Sequence, residues 1–361
     1  MDLPYIILIL ILLFFSYHEH LNPYTKVYKW AELLIILFIG LRAPTVGADT
    51  LNYVKYFTGQ QNFYNYDTRE IDIFFPILNK LLGVVLFHNG TFFLLFNAIA
   101  SLLPVFYLIN RFSQNKSLSV TFIFIGMFHI LYFVALRQIY GLSLLLWGVI
   151  AILVEKRNKW IIYGVLTMVG YCFHESTLLF SLCYLAAYFI NLNKKTWYIV
   201  IIFAFITRFV VSNLDLSLVG ELYTYYQTTL MERTSAYFDF EKAETTLNIF
   251  SVTINFVTVI LVVTLLTESN LKLWLPKIYL LGYCIGCFLS FWPMVYRVEA
   301  PLTLPFIIVF TWILKGKNKW VLTIATYSII IFNILTYLKR NIVYDKDSLD
   351  RMHPYSITKF E

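Results

Sequence analysis

Long apolar runs recur along almost the whole chain, and no other feature constrains its fold as strongly. A helix needs roughly 20 consecutive apolar residues to cross a bilayer, and runs near that length alternate here with short polar links. Backbone groups in the bilayer core must bond within a helix or a closed barrel, and the length of these runs favours helices. A mean hydropathy of +0.70 and a charged fraction of 14% agree with an integral membrane protein without a soluble domain.

About twelve segments are predicted to cross the membrane. They are residues 3–17, 30–41, 91–110, 118–136, 139–154, 160–173, 176–190, 197–212, 247–266, 274–292, 298–314 and 320–338. The segment 73–87 is shorter and contains Pro76, Asn79 and Lys80, so we expect a re-entrant or interfacial amphipathic helix there rather than another span. The sequence therefore predicts an all-α polytopic membrane protein that forms one domain over residues 1–361.

Basic residues fall in alternate links between the predicted spans, and the positive-inside rule places those links in the cytoplasm. The link with Arg111 and Lys116 is a clear example. The other links then face outwards, among them the long loops 42–90 and 213–246. This asymmetry accounts for the net charge of +7, so we expect no nucleic-acid partner.

The first outer loop opens with LRAPTVGADTLNYVKYF, residues 41–57, which holds several unusual residues. Arg42 ends an apolar run, and Gly47 permits a left-handed backbone conformation. Asp49 can cap the helix that follows, which carries Tyr53, and the N-terminus of such a helix attracts anions. Asp49 is therefore interpreted either as a plain helix cap or as a catalytic carboxylate.

Two arginines lie in segments that contain few other polar residues. Arg137, followed by Gln138, stands in FVALRQIYGLSLLL, and an arginine at such depth costs a few kcal/mol unless it snorkels, pairs or faces water. Arg297 stands in FWPMVYRVEAPLTLPF, where prolines break the helix and open space for a ligand. The guanidinium fork suits phosphate oxygens. The alternatives are an interfacial position for Arg137 and an ion pair with Glu299 for Arg297.

His174 and Glu175 lie in VGYCFHESTLLF, where HES is the polar turn between two apolar runs. A histidine can exchange a proton near physiological pH, and a neighbouring carboxylate in a low dielectric can tune that exchange. These residues are candidate catalytic groups. The alternative is a histidine that is packed and satisfied in the core.

Several function classes are excluded by the motifs that the sequence lacks. It has no P-loop, GxGxxG, HExxH or GxSxG motif, and the short cytoplasmic links leave no room for a nucleotide-binding domain. Cys284 and Cys287 form a CxxC in an apolar run without a second pair, so we expect packing residues rather than a zinc or redox site. Any chemistry must use an activated substrate carried by the membrane or supplied outside the cell.

These motifs and their order resemble those of the EpsG family of Wzy-type polysaccharide polymerases. The pattern begins with GLRAPTVGADTLNY and ends with a proline-tyrosine pair at residues 354 and 355, so the resemblance covers nearly the whole chain. The residues that carry its later parts are Asp72 before Leu78, Asn79 and Lys80; Leu136, Arg137 and Gln138; Phe173, His174 and Ser176; Arg297; and Pro354 with Tyr355. Thr177 stands where the family pattern has a small apolar residue.

The resemblance implies a GT-C-like glycosyltransferase in a bacterial plasma (inner) membrane, with its active site facing the periplasm or exterior. It would join oligosaccharide repeat units carried on undecaprenyl pyrophosphate, without a cofactor or metal, and a chain-length regulator of the Wzz type is a partner by family analogy. Donor and acceptor are both lipid-linked, so membrane lipid is a further partner. The implied site comprises His174, Asp49 and Glu175 as catalytic groups; Arg42, Arg137 and Arg297 as pyrophosphate ligands; and Tyr53, Asp72, Gln138 and Tyr296 as substrate ligands.

Two other functions agree with the same residues. Buried arginines and broken helices also line transport pathways, so a lipid-linked oligosaccharide flippase is one alternative. The other is a glycosyltransferase that uses a polyprenyl-phosphate sugar and places acidic residues of its first outer loop at the reaction centre. Elongation of lipid-linked units in a reconstituted assay distinguishes the polymerase from the flippase, and sensitivity to chelators would favour the third function.

Overall fold

The computed structural model describes residues 3–47, 49–60, 73–126, 128–213, 249–290, 295–313, 331 and 357. This part of the chain is helical and contains no β-strand, although an isolated antiparallel bridge joins Arg42 to Ile357. The chain divides into two compact units. Unit 1 comprises Met1–Tyr188 and Leu304–Glu361, and unit 2 comprises Phe189–Thr303.

The helices follow one another with short connections. In chain order they are α1 (Leu3–Leu21), α2 (Tyr28–Gly40), α3 (Thr50–Phe57), α4 (Phe74–Val85), α5 (Gly90–Phe112), α6 (Lys116–Ile125), α7 (His129–Val134), α8 (Leu136–Leu153), α9 (Lys159–Tyr171), α10 (Ser176–Phe189), α11 (Lys194–Asn213), α12 (Ile249–Leu265), α13 (Glu268–Leu271), α14 (Trp274–Phe288), α15 (Tyr296–Thr303) and α16 (Phe306–Ile313).

Every span predicted up to residue 314 overlaps one of these helices or a broken pair of them. By length and composition, three of the described helices, α1, α5 and α8, can cross a membrane. The helices α4, α6, α10, α14 and most of α12 are apolar but shorter. The last predicted span, 320–338, and nearly all of the loop 213–246 lie outside the described residues. Twelve crossings and the GT-C architecture therefore remain predictions.

The predicted span 118–136 is divided between two helices. Helix α6 ends at Ile125, α7 is a separate short helix, and α8 begins directly after Ala135, whose φ of −118° and ψ of 55° lie outside the helical region. Arg137 and Gln138, predicted to lie in a turn between spans, instead occupy the first turn of α8. The predicted span 298–314 is likewise divided, into α15 and α16. Pro305 precedes α16 and disfavours the helical conformation at the residue before it.

Helix α8 lies at the centre of unit 1 and is buried along most of its length. It packs against α9 on one side and α5 on another, and α5 in turn packs against α2. Gly148 of α8 lets α9 approach so closely that an added Cβ would lie 3.1 Å from the Cα atom of Tyr163. Apolar packing of this density fixes the position of α8 and of the residues at its N-terminus.

Buried polar side chains fix the start of α6. The Glu19 carboxylate, at the end of α1, accepts hydrogen bonds from the backbone N–H groups of Lys116 and Ser117 at 2.9 and 2.7 Å. The Asn115 side chain accepts another from the N–H of Leu118 at 2.8 Å. A carboxylate at this place also complements the positive end of the helix dipole. Helices α1 and α6 are therefore joined by charge as well as by packing.

Helix α4 corresponds to the short segment 73–87, predicted between the second and third spans. Its 12 residues extend for only about 18 Å, which is shorter than the roughly 30 Å of a bilayer core. Phe75, Asn79 and Leu82 face the protein, whereas Leu81 and Val84 are exposed. The helix therefore has one apolar face against the rest of unit 1 and another that is uncovered, and its re-entrant or interfacial position stays a prediction.

Unit 2 is built around α14, which packs against α11 and α15. Two glycines of α14 permit the close approach of α15. An added Cβ at Gly282 would lie 2.7 Å from Leu302, and one at Gly286 would lie 2.6 Å from the carboxyl carbon of Glu299. Cys284 and Cys287, also in α14, are buried free thiols in this packing.

Candidate active site

Arg42 holds together the loop that precedes α3. Its side chain is only 1% exposed. It donates hydrogen bonds to the carbonyl oxygens of Ile39, Val46 and Tyr132 and to the hydroxyl of Thr50, and its guanidinium lies 4.7 Å from the centre of the Phe133 ring. Since Ile39 lies in the last turn of α2 and Tyr132 in the last turn of α7, this cation lies at the negative ends of two helices. The structure therefore gives Arg42 the contacts of a structural clamp.

Thr50 and Gly47 complete this clamp, which we define as Arg42, Gly47 and Thr50. The Thr50 hydroxyl donates to the carbonyl oxygen of Phe133 at 2.6 Å. Gly47 has a φ of +103°, and an added Cβ would lie 2.4 Å from the same Phe133 oxygen. Only glycine fits this conformation and this approach. The clamp thus satisfies the carbonyl groups at the end of α7 and stabilises the break before α8.

Asp49 stands at the N-cap of α3, but its side chain makes no capping hydrogen bond. The backbone of Asp49 accepts the N–H of Tyr53 at 3.2 Å, so Tyr53 lies one turn further along the helix. The residue is half-buried. Capping, one of the two roles considered for Asp49, therefore does not account for its carboxylate.

Arg137 occupies the second position of α8, directly after the break. It is 9% exposed, and its Nε atom donates to the Tyr53 hydroxyl oxygen at 3.4 Å. The first N–H group to bond within α8 is that of Ile139, which donates to Ala135, so the N–H groups of the first turn point out of the helix end. A buried guanidinium beside a helix N-terminus is a strongly electropositive environment. Gln138 follows and is also buried.

Aromatic contacts connect this environment to the turn that contains His174. The Tyr53 ring lies 5.4 Å from that of Phe75 in α4, and the Phe75 ring lies 6.3 Å from that of Tyr140 in α8. Tyr140 stacks on Phe173 at 5.4 Å, and Phe173 directly precedes His174. The four rings form a continuous series from α3 to the end of α9.

The His174 ring is held by the residue two positions further on. Its Nδ1 atom accepts the backbone N–H of Ser176 at 3.2 Å and lies 2.8 Å from the Ser176 hydroxyl oxygen. The side chain of His174 is half-buried, whereas Glu175 is exposed. The HES turn is thus an ordered N-terminus of α10, with His174 turned inwards and Glu175 outwards.

Thr177 attaches this turn to α8. Its hydroxyl donates to the Gly170 carbonyl oxygen at 3.2 Å, and the N–H of His174 donates to the same oxygen at 3.0 Å. An added Cβ at Gly141 of α8 would lie 2.0 Å from the Thr177 hydroxyl oxygen. Since Gly141 lies one turn after Arg137, this contact sets how far the His174 turn lies from the N-terminus of α8.

A protein-family model, described as the EpsG family, matches residues 27–357 of the sequence. The chain belongs to the EpsG family. Members of this family are Wzy-like polysaccharide polymerases, so the resemblance inferred from the motifs is confirmed. No curated protein and no solved structure matches the chain. The apolar helices and the family together identify a membrane protein.

Several of the EpsG-family motifs meet in unit 1. The break before α8 places Arg137 beside Tyr53, which stands one turn after Asp49, and the aromatic series extends from Tyr53 to the His174 turn. Asp72 lies outside the described residues. In unit 2, Arg297 is half-buried in the first turn of α15, beside Tyr296. Like Arg137, it occupies the second position of its helix.

Sequence reasoning missed the residues that position the site. Ser176 was visible only as the last member of the phenylalanine-histidine-x-serine motif, and its contacts with His174 were not predicted. Thr177, which departs from the family pattern, contacts both Gly141 and Gly170. The glycines at positions 141 and 148 of α8 and 170 of α9 were the available signal for this close approach.

Proposed function

We propose that this protein polymerises oligosaccharide repeat units linked to undecaprenyl pyrophosphate, at the extracytoplasmic face of a bacterial plasma membrane. Membership of the EpsG family supports polysaccharide polymerisation as the type of reaction. The lipid pyrophosphate as leaving group and the outer location of the site are the parts that we add. They rest on the placement of Arg137 and on the distribution of basic residues among the links.

The position of Arg137 is the observation that carries the proposal. When the bond between the donor sugar and pyrophosphate breaks, negative charge grows on a phosphate oxygen. The Arg137 guanidinium and the N–H groups at the start of α8 form an environment in which that charge is stabilised without rearrangement. The Tyr53 hydroxyl, which accepts from Arg137, holds the guanidinium in place.

The other candidate residues are proposed to have the following roles in the reaction. A hydroxyl of the acceptor attacks the anomeric carbon of the donor, the bond to the pyrophosphate oxygen breaks with its electron pair, and the hydroxyl proton passes to a base. Asp49 and His174 are the candidate bases, and Glu175 is an exposed neighbour of His174. Tyr53 and Gln138 are proposed to contact the substrate, as are Asp72 and Tyr296.

Arg42 and Arg297 differ in their proposed roles. Arg42 acts through the clamp, because its donors already bond to oxygens of the protein. Arg297, in the first turn of α15, is proposed as a second phosphate ligand by the same reasoning as Arg137. The reaction needs neither a cofactor nor a metal in this scheme, since the arginines and helix termini supply the positive charge.

The test is polymerisation by the purified protein in liposomes that contain lipid-linked repeat units. We expect the wild-type protein to produce long chains, Arg137→Ala to lose activity by about 100-fold or more, and Arg157→Ala to behave as wild type. Arg157 is a matched control because it is an exposed arginine in the link between α8 and α9. Chain lengths are read on a gel.

Other outcomes would reject the proposal. Movement of lipid-linked units across the bilayer without elongation would identify a flippase. Loss of activity in the presence of a chelator would favour the transferase that uses polyprenyl-phosphate sugars and acidic residues. Full activity of Arg137→Ala in a working assay would exclude the proposed pyrophosphate site.

A further inference from the structure

We infer that His174 acts as a hydrogen-bond donor through Nε2, and that the acceptor proton goes to Asp49 rather than to His174. This inference rests on the polymerase function proposed above and assigns the role of two residues of the same site. It identifies Ser176 as the positioning residue that determines which nitrogen of His174 carries the proton.

The tautomer of His174 follows from its contact with Ser176. A backbone N–H group can only donate, so the bond from Ser176 N to His174 Nδ1, at 3.2 Å, makes Nδ1 an acceptor. The Ser176 hydroxyl, 2.8 Å from the same atom, then donates to it as well. A ring that accepts at Nδ1 is neutral and carries its proton on Nε2.

A proton on Nδ1 would face the N–H of Ser176, so this contact disfavours the opposite tautomer, and it also disfavours a flip of the ring. Rotation of the imidazole by half a turn would place a carbon atom where Nδ1 accepts from Ser176 and would break both contacts. The turn itself is fixed, because the N–H of His174 and the hydroxyl of Thr177 both donate to the Gly170 oxygen at 3.0 and 3.2 Å. The protein therefore presents Nε2–H to the site in a constant orientation.

A nitrogen that carries a proton can donate but cannot accept the proton of a sugar hydroxyl. His174 is thus suited to the leaving group: Nε2–H donates to the phosphate oxygen that receives the electron pair of the broken bond. The base must be another group with a free electron pair in reach of the acceptor. Such a group must be a carboxylate or an equivalent.

Asp49 is the carboxylate that we assign to this role. Its carboxylate makes no capping bond at the start of α3 and stands one turn before Tyr53, whose hydroxyl accepts from Arg137. In the balanced step the acceptor oxygen forms a bond to the anomeric carbon and its proton passes to Asp49. The bond from that carbon to the pyrophosphate oxygen breaks, and Arg137 and His174 stabilise the charge that results.

Two substitutions of His174 separate a donor from a base. The amide NH₂ of glutamine can occupy the place of Nε2–H, whereas that of the shorter asparagine lies nearer the place of Nδ1. We expect His174→Gln to stay within about 10-fold of wild type and His174→Asn and His174→Ala to lose about 100-fold or more. His174→Asn is the matched control, because asparagine carries the same amide group on a shorter side chain that does not extend to the position of Nε2.

Two substitutions of Asp49 complete the test. Asp49→Asn keeps the size of the side chain but cannot accept a proton, so we expect a loss of about 100-fold or more, and Asp49→Glu should recover part of it. His174→Gln with no more activity than His174→Ala would overturn the donor role. Near-normal activity of Asp49→Asn would overturn the assignment of the base.

The controls distinguish this inference from the proposed function. All variants are compared at equal amounts of purified protein that elutes as a single species in detergent. If the wild-type protein fails to elongate lipid-linked units, the proposed function has failed and the variants are not compared. If the wild-type protein elongates them and His174→Gln is inactive, the polymerase function stands and the donor role is rejected.

Discussion

Arg42 and Arg137 are both buried arginines of unit 1, one before α3 and one at the start of α8, and their surroundings differ. Arg42 donates to four oxygens of the protein and lies over the Phe133 ring. It faces the negative ends of α2 and α7, where a cation is stabilising. Arg137 faces the positive end of α8, where a second positive charge is destabilising unless an anion is near.

This difference indicates that one arginine stabilises the fold and that the other contributes to an anion site. From the sequence, both arginines were candidates for binding pyrophosphate. The helix end beside each guanidinium distinguishes them, because a cation at a helix C-terminus completes the fold, whereas a cation at an N-terminus adds to a site for anions. If this distinction is right, substitutions in the clamp should lower the stability of the protein, and substitution of Arg137 should lower its activity.

Loss of Arg42 should have the largest effect. Arg42→Met keeps much of the side-chain volume but leaves the carbonyl groups of Ile39, Val46 and Tyr132 without their donor. Each buried group left unsatisfied costs roughly 1–3 kcal/mol, so we expect a total loss of about 4 kcal/mol in stability. Thermal unfolding in detergent measures it. If Arg42→Met unfolded at the wild-type temperature, the hydrogen bonds of Arg42 would not stabilise the fold.

Substitution of Gly47 should be the next most damaging. Gly47→Ala forces a side chain into a positive φ and against the Phe133 oxygen, and we expect a loss of about 3 kcal/mol. Gly59→Ala is the matched control, since Gly59 also has a positive φ, of +77°, but no atom of the described residues lies within 4 Å of an added Cβ. It should cost about 1 kcal/mol. Equal unfolding temperatures for the two variants would contradict the close approach.

Arg137→Lys should change activity and leave stability nearly unchanged. Lysine keeps the charge but loses the planar fork that binds phosphate oxygens in pairs, so we expect elongation to fall by about 10-fold to 100-fold. The measurement is the rate of elongation in liposomes beside the unfolding temperature in detergent. If Arg137→Lys unfolded well below the wild-type temperature, as expected for Arg42→Met, the two arginines would not differ in role.

Removal of the Thr177 hydroxyl should have the smallest effect. Thr177→Val keeps the shape but loses the bond to the Gly170 oxygen, which is worth about 1 kcal/mol of stability. Thr177→Ser keeps the hydroxyl and serves as control. The substitution Gly141→Ala, which would clash with the Thr177 side chain, should be partly rescued by Thr177→Ala. Absence of any rescue would show that the two residues do not set the spacing.

The sequence predicted the helices of this protein well because run length is a local property. Apolar runs of sufficient length identify α1, α5 and α8 without knowledge of any contact. The break at Ala135 is different, since no glycine or proline stands in HILYFVALRQIY. It depends on Arg42 and Thr50, which lie 90 and 83 residues from the carbonyl groups that they satisfy.

In the candidate site, too, some features follow from the local sequence and others depend on tertiary contacts. Residue type alone identified Arg137 and His174, because charged groups are rare in apolar runs. It could not identify which nitrogen of His174 accepts, which depends on the geometry of Ser176. It also could not separate Arg42 from Arg137, since both follow a leucine at the edge of an apolar run and differ only in the helix ends that tertiary structure places beside them.

The clamp around Arg42 also bears on how the protein is made. Arg42 leaves the ribosome before Tyr132, its partner 90 residues further along the chain, and before Ile357, with which its backbone pairs. The loop that presents Asp49 therefore completes its contacts only after Ile357 has been synthesised. An insertion intermediate that stalls before that point would carry the helices of the site without the arrangement that joins them.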